Sequence, residues 1–588
     1  MVVAIAFKGR FTTQGIRMIR SHRLLSQAAL ISCLFSAFPL APVLAEEREP
    51  PRLILQITVD ALRADMPERY RAVLGESGFR WLWDNGITYN NANYQHANTE
   101  TIVGHVSLAT GTTPSRHGMI GNVWFDREQE RLVYNIEDAD YRLLTAGADV
   151  DDQTEIDPTQ KAASADGRSP KAILTSTFSD ELALHFNGQS RIFGVSVKDR
   201  GAVSLAGQTG KAFWFSKASG EFVTSNYYYD AYPDWVREWN EKQLAQTYAG
   251  KSWSLLHSAS EYLFGKADDQ DYETDFPGFG RTFPHPWGEG DDKYFTTRLT
   301  LSPAGDELTL DFTKALIRAE ALGQDRLTDY LSVSFSSTDY VGHVFGASSL
   351  ESEDNLARLD RTLSDLLAFV DDAVGLERTL IVLSADHGQP EVPGHLHARG
   401  FQGAAYFDVE GVDKLPVFSE LKKTLGIEGQ LVEAFFQPYI YLDQQLMAEQ
   451  GVDRGRVEQA FASALMQLDG IAAAIPSSAL RTGAFPGIPV IDSVLHNYHP
   501  KRSGDIYVVF EPNVFINDFD GLEVASVHGS PWRYDTHVPV IFAGYGLKPA
   551  TISRAITPYD IAPTLSALIG AKQPSGATGE TLAEVLGQ

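Results

Sequence analysis

The sequence predicts an α/β fold in which helices cover both faces of a mostly parallel central sheet. Three observations carry this expectation: short apolar runs with β-branched members recur along the chain, helical segments separate them, and an acidic side chain follows three of the runs. Leu53 to Val59 is the first run and ends at Asp60; Leu331 to Phe335 precedes Asp339, and Thr379 to Leu383 precedes Asp386. Arg191 to Val197, ahead of Lys198, is a fourth run of this kind. In open α/β sheets ligands bind outside the carboxyl ends of the strands, so acidic residues far apart in the chain are expected to converge there.

Helices are expected at Phe79 to Asp84, from about Thr101, and at Leu350 to Val374, where Leu356, Leu359, Leu363 and Leu366 share one face. Residues 225–292 change character. Tyr227-Tyr228-Tyr229, Trp235, Trp239 and Phe276-Pro277-Gly278-Phe279-Gly280 read as an insertion near a site entrance, or as surface loops packed by their own aromatic rings. Residues 400–530 read as a second, less regular insertion. The expected layout is thus a leader over 1–45 and one catalytic domain over 46–588 that carries both insertions.

The leader reading rests on Lys8, Arg10, Arg17, Arg20 and Arg23, the absence of acidic side chains, and a mostly apolar stretch from Leu24 to Leu44. Met18 would place Arg20 and Arg23 in a charged n-region, with Val43-Leu44-Ala45 before a cut at Glu46. Cleavage before a lipid-bearing Cys33, in Leu30-Ile31-Ser32-Cys33, is the competing reading. No apolar run of about 18 residues follows, so no membrane span is expected in the mature chain, which should be periplasmic or secreted. Cys33 is the single cysteine, so an exported product holds no disulfide and any metal must be bound by His, Asp and Glu. The net charge of −27 opposes sequence-independent binding to nucleic-acid phosphates, so no duplex partner is expected.

Asp339 and His343 stand four apart, which puts a carboxylate and an imidazole on one face of a helix. Asp386-His387-Gly388 offers a second such pair directly after a strand. Neither pair specifies a metal alone. With Asp60 and a later His-Gly at His528 they supply six oxygen and nitrogen donors, enough for two three-ligand sites that keep open positions for catalysis.

Asp60, Thr101-Ile102-Val103-Gly104-His105, Thr110-Gly111-Thr112-Thr113-Pro114 leading to His117-Gly118, Asp339 with His343, Asp386-His387-Gly388 and His528-Gly529-Ser530 occur in the order seen in the alkaline phosphatase superfamily. The set resembles the threonine-nucleophile phosphatases of the PafA type and their relatives, the nucleotide pyrophosphatases/phosphodiesterases, from the first strand to Asp560-Ile561-Ala562-Pro563-Thr564-Leu565. The resemblance implies two zinc ions, one held by Asp60, Asp386 and His387 and facing Thr101, the other held by Asp339, His343 and His528. It implies that Thr101 attacks phosphorus, with metal contact stabilising its alkoxide and the following helix adding amide donors. It also implies that Asn122 donates its amide to a phosphoryl oxygen, and that Lys198 and Arg200 match the Lys-x-Arg pair of the monoesterase branch. Alternate residues on an extended segment point the same way, so both cations are expected to reach one anion. Two cations favour a monoester dianion over a diester monoanion.

Thr99 and His537 are the rivals of Thr101 and His528; both lack the family context. The expected function is therefore an exported zinc-dependent phosphomonoesterase acting on small-molecule phosphate esters through a phosphothreonine. A phosphodiesterase or nucleotide pyrophosphatase is the alternative on the same frame, and a metal-stabilised binding protein without turnover is the alternative from another class. Sulfatase chemistry fits less well, because its usual nucleophile is formylglycine and position 101 is threonine.

Overall fold

In the computed structural model residues 49–408, 415–485 and 487–587 are described; the predicted leader and Cys33 lie outside them. A nine-stranded sheet runs through the molecule. Its strands are β1 (Leu53–Val59), β2 (Gly86–Asn93), β3 (Ile192–Ser196), β4 (Lys211–Ser216), β5 (Glu221–Val223), β6 (Asp329–Phe335), β7 (Thr379–Ser384), β8 (His537–Gly544) and β9 (Ala550–Ile552). They lie in the order β9-β2-β8-β7-β1-β6-β3-β4-β5. The five strands from β7 to β4 are mutually parallel, while β8 runs antiparallel to β7 and β5 antiparallel to β4. Every residue of β1, β6 and β7 is buried, as a parallel sheet covered on both faces requires.

The register explains why distant residues meet. Thr58 of β1 pairs with Ser384 of β7 and with Ser334 of β6, and Ser334 pairs with Ser196 of β3. Asp60, Asp386 and Lys198 each stand two residues beyond one of these matched positions, so all three leave the sheet at one edge. Asp339 follows from β6 on the first turn of α4 (Ser337–Phe345). The helices used below are α1 (Phe79–Asn85), α2 (Thr101–Thr110), α3 (Asp199–Ala206), α4 and α5 (Leu350–Ala373).

Gly104 sets how closely α2 approaches this edge. A Cβ there would lie 2.0 Å from the Asp386 carbonyl oxygen, so only glycine lets the helix lie on the turn after β7.

Residues 225–292 do not line the cleft described below. Trp239, Trp253, Phe276 and Phe279 are buried in the large core that also takes in residues of α5 and the sheet. A separate antiparallel sheet is made by Val432–Phe436, Tyr439–Leu442, Ile506–Phe510 and Ile471–Pro476, in that spatial order. It has its own core, in which Phe418 stacks on Phe461 at 4.3 Å between ring centres. No helix among the described residues is long and apolar enough to cross a membrane.

Candidate active site

The sheet edge gathers the predicted donors. Asp339 Oδ1 lies 3.4 Å from His343 Nε2 and 3.3 Å from His528 Nε2. His387 Nε2 lies 3.5 Å from Asp60 Oδ1 and 3.3 Å from Asp386 Oδ2. Two groups have donor atoms mutually within 4.8 Å, as a bound cation would need: Asp339, His343 and His528, and Asp60, Asp339 and His387. Asp339 is thus shared between the groups, and Asp386 adjoins the second through His387. The two stacked imidazoles of His387 and His528, 3.6 Å apart, join them.

The three histidines are oriented alike. Nδ1 of His343, His387 and His528 meets the backbone carbonyl of Ser526 (2.7 Å), Gly388 (2.9 Å) and Thr99 (2.8 Å). Each carbonyl accepts a hydrogen bond from Nδ1–H, which leaves the Nε2 lone pair directed at the carboxylates; this is how metal-binding imidazoles are held. Burial pushes His387 down to about 3, so its ring is neutral at ordinary pH.

Asp60 Oδ1, Asp339 Oδ1, Asp386 Oδ2 and His387 Nε2 are buried yet take part in no hydrogen bond. Burial and the Asp386 charge push Asp60 well above the usual carboxylate range. Burial works to raise Asp339 and Asp386 too, but the Lys198 charge on the first and His387 on the second outweigh it and hold both low. Three buried carboxylates beside a single ammonium call for further positive charge, and this donor chemistry suits divalent cations.

Thr101 opens α2 and is 1% exposed. Lys198 Nζ lies 3.5 Å from its Oγ1 and 2.8 Å from Asp60 Oδ2, and Arg200 Nη2 lies 3.4 Å from the same Oγ1. The two cations do converge, but not along an extended segment as expected. Lys198 is the extended residue before α3 and Arg200 sits in that helix's first turn, because Gly194 and Gly201 let α3 fold straight back onto β3 and β6. Asn122 Oδ1 accepts from Ile102 N–H at 3.1 Å, which leaves its Nδ2 as the donor toward the cleft. His105 fixes the floor: its Nδ1 is 2.9 Å from the Thr101 carbonyl and 3.1 Å from Asp386 Oδ2.

The rivals are placed elsewhere. Thr99 hydroxyl donates to the Ser530 carbonyl, and His537 Nε2 meets the Asn90 carbonyl at the protein surface. His96, unassigned from sequence, pairs with the Tyr559 hydroxyl at 2.6 Å.

A cleft of about 190 Å³ opens over Asp339, His343 and His528. Sequence reasoning missed its wall: Ile156, Asp157, Phe435, Phe436, Ile516 and Phe519. It also missed Glu100, whose carboxylate accepts from Asn122 N–H, and Tyr340, whose ring lies 4.8 Å from Lys198 Nζ. Tyr340 adjoins Asp339, and that adjacency was the only available signal.

Fold and site together define a hydrolase of the alkaline phosphatase superfamily. Residues 54–531 match the family model for type I phosphodiesterase / nucleotide pyrophosphatase. The alkaline phosphatase PhoV of Synechococcus elongatus is 33% identical over 540 residues, covering 91% of this chain and 93% of that protein. A Myroides odoratus protein named calcium-transporting ATPase is 31% identical over 566 residues, covering 96% of this chain and 100% of its own. The crystal structure of the alkaline phosphatase PafA superposes with a TM-score of 0.81 at 30% identity, over 91% of this chain and 99% of that one. The chain belongs to the type I phosphodiesterase / nucleotide pyrophosphatase family and, within it, to the PafA-type alkaline phosphatases, which makes it a phosphoric monoester hydrolase. Membership implies a metal cofactor, for which the Asp/His groups above are the fitting residues.

Proposed function

We propose that this protein is an exported, zinc-dependent phosphomonoesterase that works on small-molecule phosphate esters through a phosphothreonine at Thr101. The observation that carries this reading is the convergence of buried donor atoms without hydrogen bonds beside a hydroxyl that two cations approach within 3.5 Å. Asp60, Asp386 and His387 would hold one zinc ion, in contact with Thr101, and Asp339, His343 and His528 the other; together they would supply charge that favours the threonine alkoxide, the leaving oxygen and the attacking water.

The chain's own groups do the rest. Thr101 Oγ1 forms the new bond to phosphorus as the ester oxygen departs, and water then releases phosphate and restores the hydroxyl. Asn122 Nδ2 and the first amides of α2 donate to the phosphoryl oxygens. Lys198 and Arg200 bring two full charges to the same oxygens, which a monoester dianion uses better than a diester monoanion. A second PafA crystal structure carries substitutions at one Thr, one Asn, one Lys and one Arg. Their Thr-to-Asn and Lys-to-Arg separations match those of Thr101 to Asn122 and Lys198 to Arg200.

The family model also covers diesterases, so phosphodiester hydrolysis is the second reading. Rates on an aryl monoester, an aryl diester and an aryl sulfate, with and without chelator, separate them. The monoester is expected to be fastest and to need metal. A diester preference in the native enzyme would favour the second reading, and full activity after exhaustive chelation would overturn the metal assignment.

A further inference from the structure

One carboxylate at the cleft, that of Asp157, takes no part in the chemistry above. Asp157 Oδ2 lies 2.9 Å from Arg200 Nη1, and both side chains are nearly wholly buried. Asp157 is itself pinned. It caps the short helix Pro158–Lys161, where its Oδ1 accepts from the Thr159 N–H at 2.9 Å and the Thr159 hydroxyl at 2.6 Å. Gln160 Nε2 adds a longer contact, 3.4 Å, to Oδ2. The carboxylate is therefore a fixed post rather than a mobile counter-ion.

The other terminal nitrogen of Arg200, Nη2, is the one that lies 3.4 Å from Thr101 Oγ1. A guanidinium is planar, so fixing Nη1 fixes the direction in which Nη2 donates. Tyr134 OH, 3.4 Å from Nη1, lies on that same side, and it is tied in turn to Asp199 at 2.6 Å. Without Asp157 the arginine would keep only that one weak neutral contact at its Nη1 end, together with a buried Nε that takes part in no hydrogen bond.

We propose that Asp157 is a positioning residue that splits the guanidinium fork, holding Nη1 so that Nη2 is aimed at the phosphoryl oxygens over Thr101. This rests on the proposed reading of Arg200 as a ligand of those oxygens. Asp157 then acts on the monoester preference only through Arg200. Although Asp157 lines the cleft wall, its carboxylate is engaged by Arg200 and the Thr159 donors, and its removal is not expected to improve anion binding.

A double-mutant cycle tests this. kcat/KM for an aryl phosphate monoester and a matched aryl diester is measured for the native enzyme, Asp157→Asn, Arg200→Ala and the double variant. Arg200→Ala is expected to lower the monoester-to-diester ratio. Asp157→Asn should lower the monoester value by about tenfold or more, the scale of one hydrogen bond to a charged group, and leave the diester nearly unchanged. Within the Arg200→Ala background Asp157→Asn should change nothing further. Asp157→Glu, which keeps the charge at a displaced point, should recover part of the lost ratio.

An Asp157→Asn loss of the same size with or without Arg200 would show that the carboxylate acts only as a helix cap, and would overturn the inference. So would an unchanged ratio in Asp157→Asn beside a collapsed ratio in Arg200→Ala. If Arg200→Ala itself leaves the ratio intact, the reading of Arg200 fails first and takes this inference with it. Poor folding of Asp157→Asn would lower monoester and diester rates together, a pattern that the ratio separates from loss of aim.

Discussion

Asp60, Asp386 and His387 are wholly buried where parallel strands end, whereas Phe435, Phe436, Ile516 and Phe519, across the cleft, are half-buried on peripheral strands and loops. The position of the floor follows from strand register: Thr58, Ser384, Ser334 and Ser196 are matched, so the residues just beyond them share one edge. The wall has no such constraint. Its residues come from the Asp157 turn, the Phe435–Phe436 strand end and the Ile516–Phe519 segment, and only tertiary packing brings these together. Between them, Asp339, His343 and His528 belong to both regions, lining the cleft while facing the inner donors. On the proposed reading, the difference teaches that the buried part of the site would carry the chemistry while the wall offers an apolar surface to the organic group.

That division can be broken by substitution. The larger effect is expected at the floor: Lys198→Ala should lower aryl monoester kcat/KM by about 10²- to 10³-fold, the scale of a lost donor to a developing oxyanion. The diester should lose far less. Equal losses on the two substrates would show that Lys198 serves the fold or the carboxylates rather than the monoester charge. A smaller effect is expected at the wall. Phe435→Ala or Phe519→Ala should raise KM for an aryl monoester by about tenfold or less, the scale of one lost apolar contact, and leave kcat nearly unchanged. Methyl phosphate, with no aryl group to bury, should be indifferent to both changes; a loss of kcat on it would mean that the wall also holds the chemistry in place.

The same contrast sets how much could be read from sequence. The strands at Leu53–Val59 and Thr379–Ser384 and the helix from Thr101 were legible from pattern, and Asp60 and Asp386 could be named as candidates because each follows such a strand, whereas His528, in an irregular segment, was named only from its His-Gly context. Lys198 and Arg200 were legible as a pair, but their geometry was not, since the glycine contacts that fold α3 back onto β3 and β6 are tertiary. Asp157 was not singled out from the sequence: it caps the short helix that begins at Pro158, and nothing local announces that its second oxygen holds Arg200. Trp239 and Phe276 fall in a stretch that reads either as an insertion near an entrance or as loops packed by their own rings, because an aromatic ring carries no sign of which face of the molecule it packs; in the structure they join the main core.

Trapping the covalent intermediate tests the account most directly. Acid quenching of the native enzyme during turnover of a phosphate monoester, followed by peptide mapping, should place phosphate on Thr101, and Thr101→Ala should abolish the label. Label retained in that variant, or found on another side chain, would contradict the account.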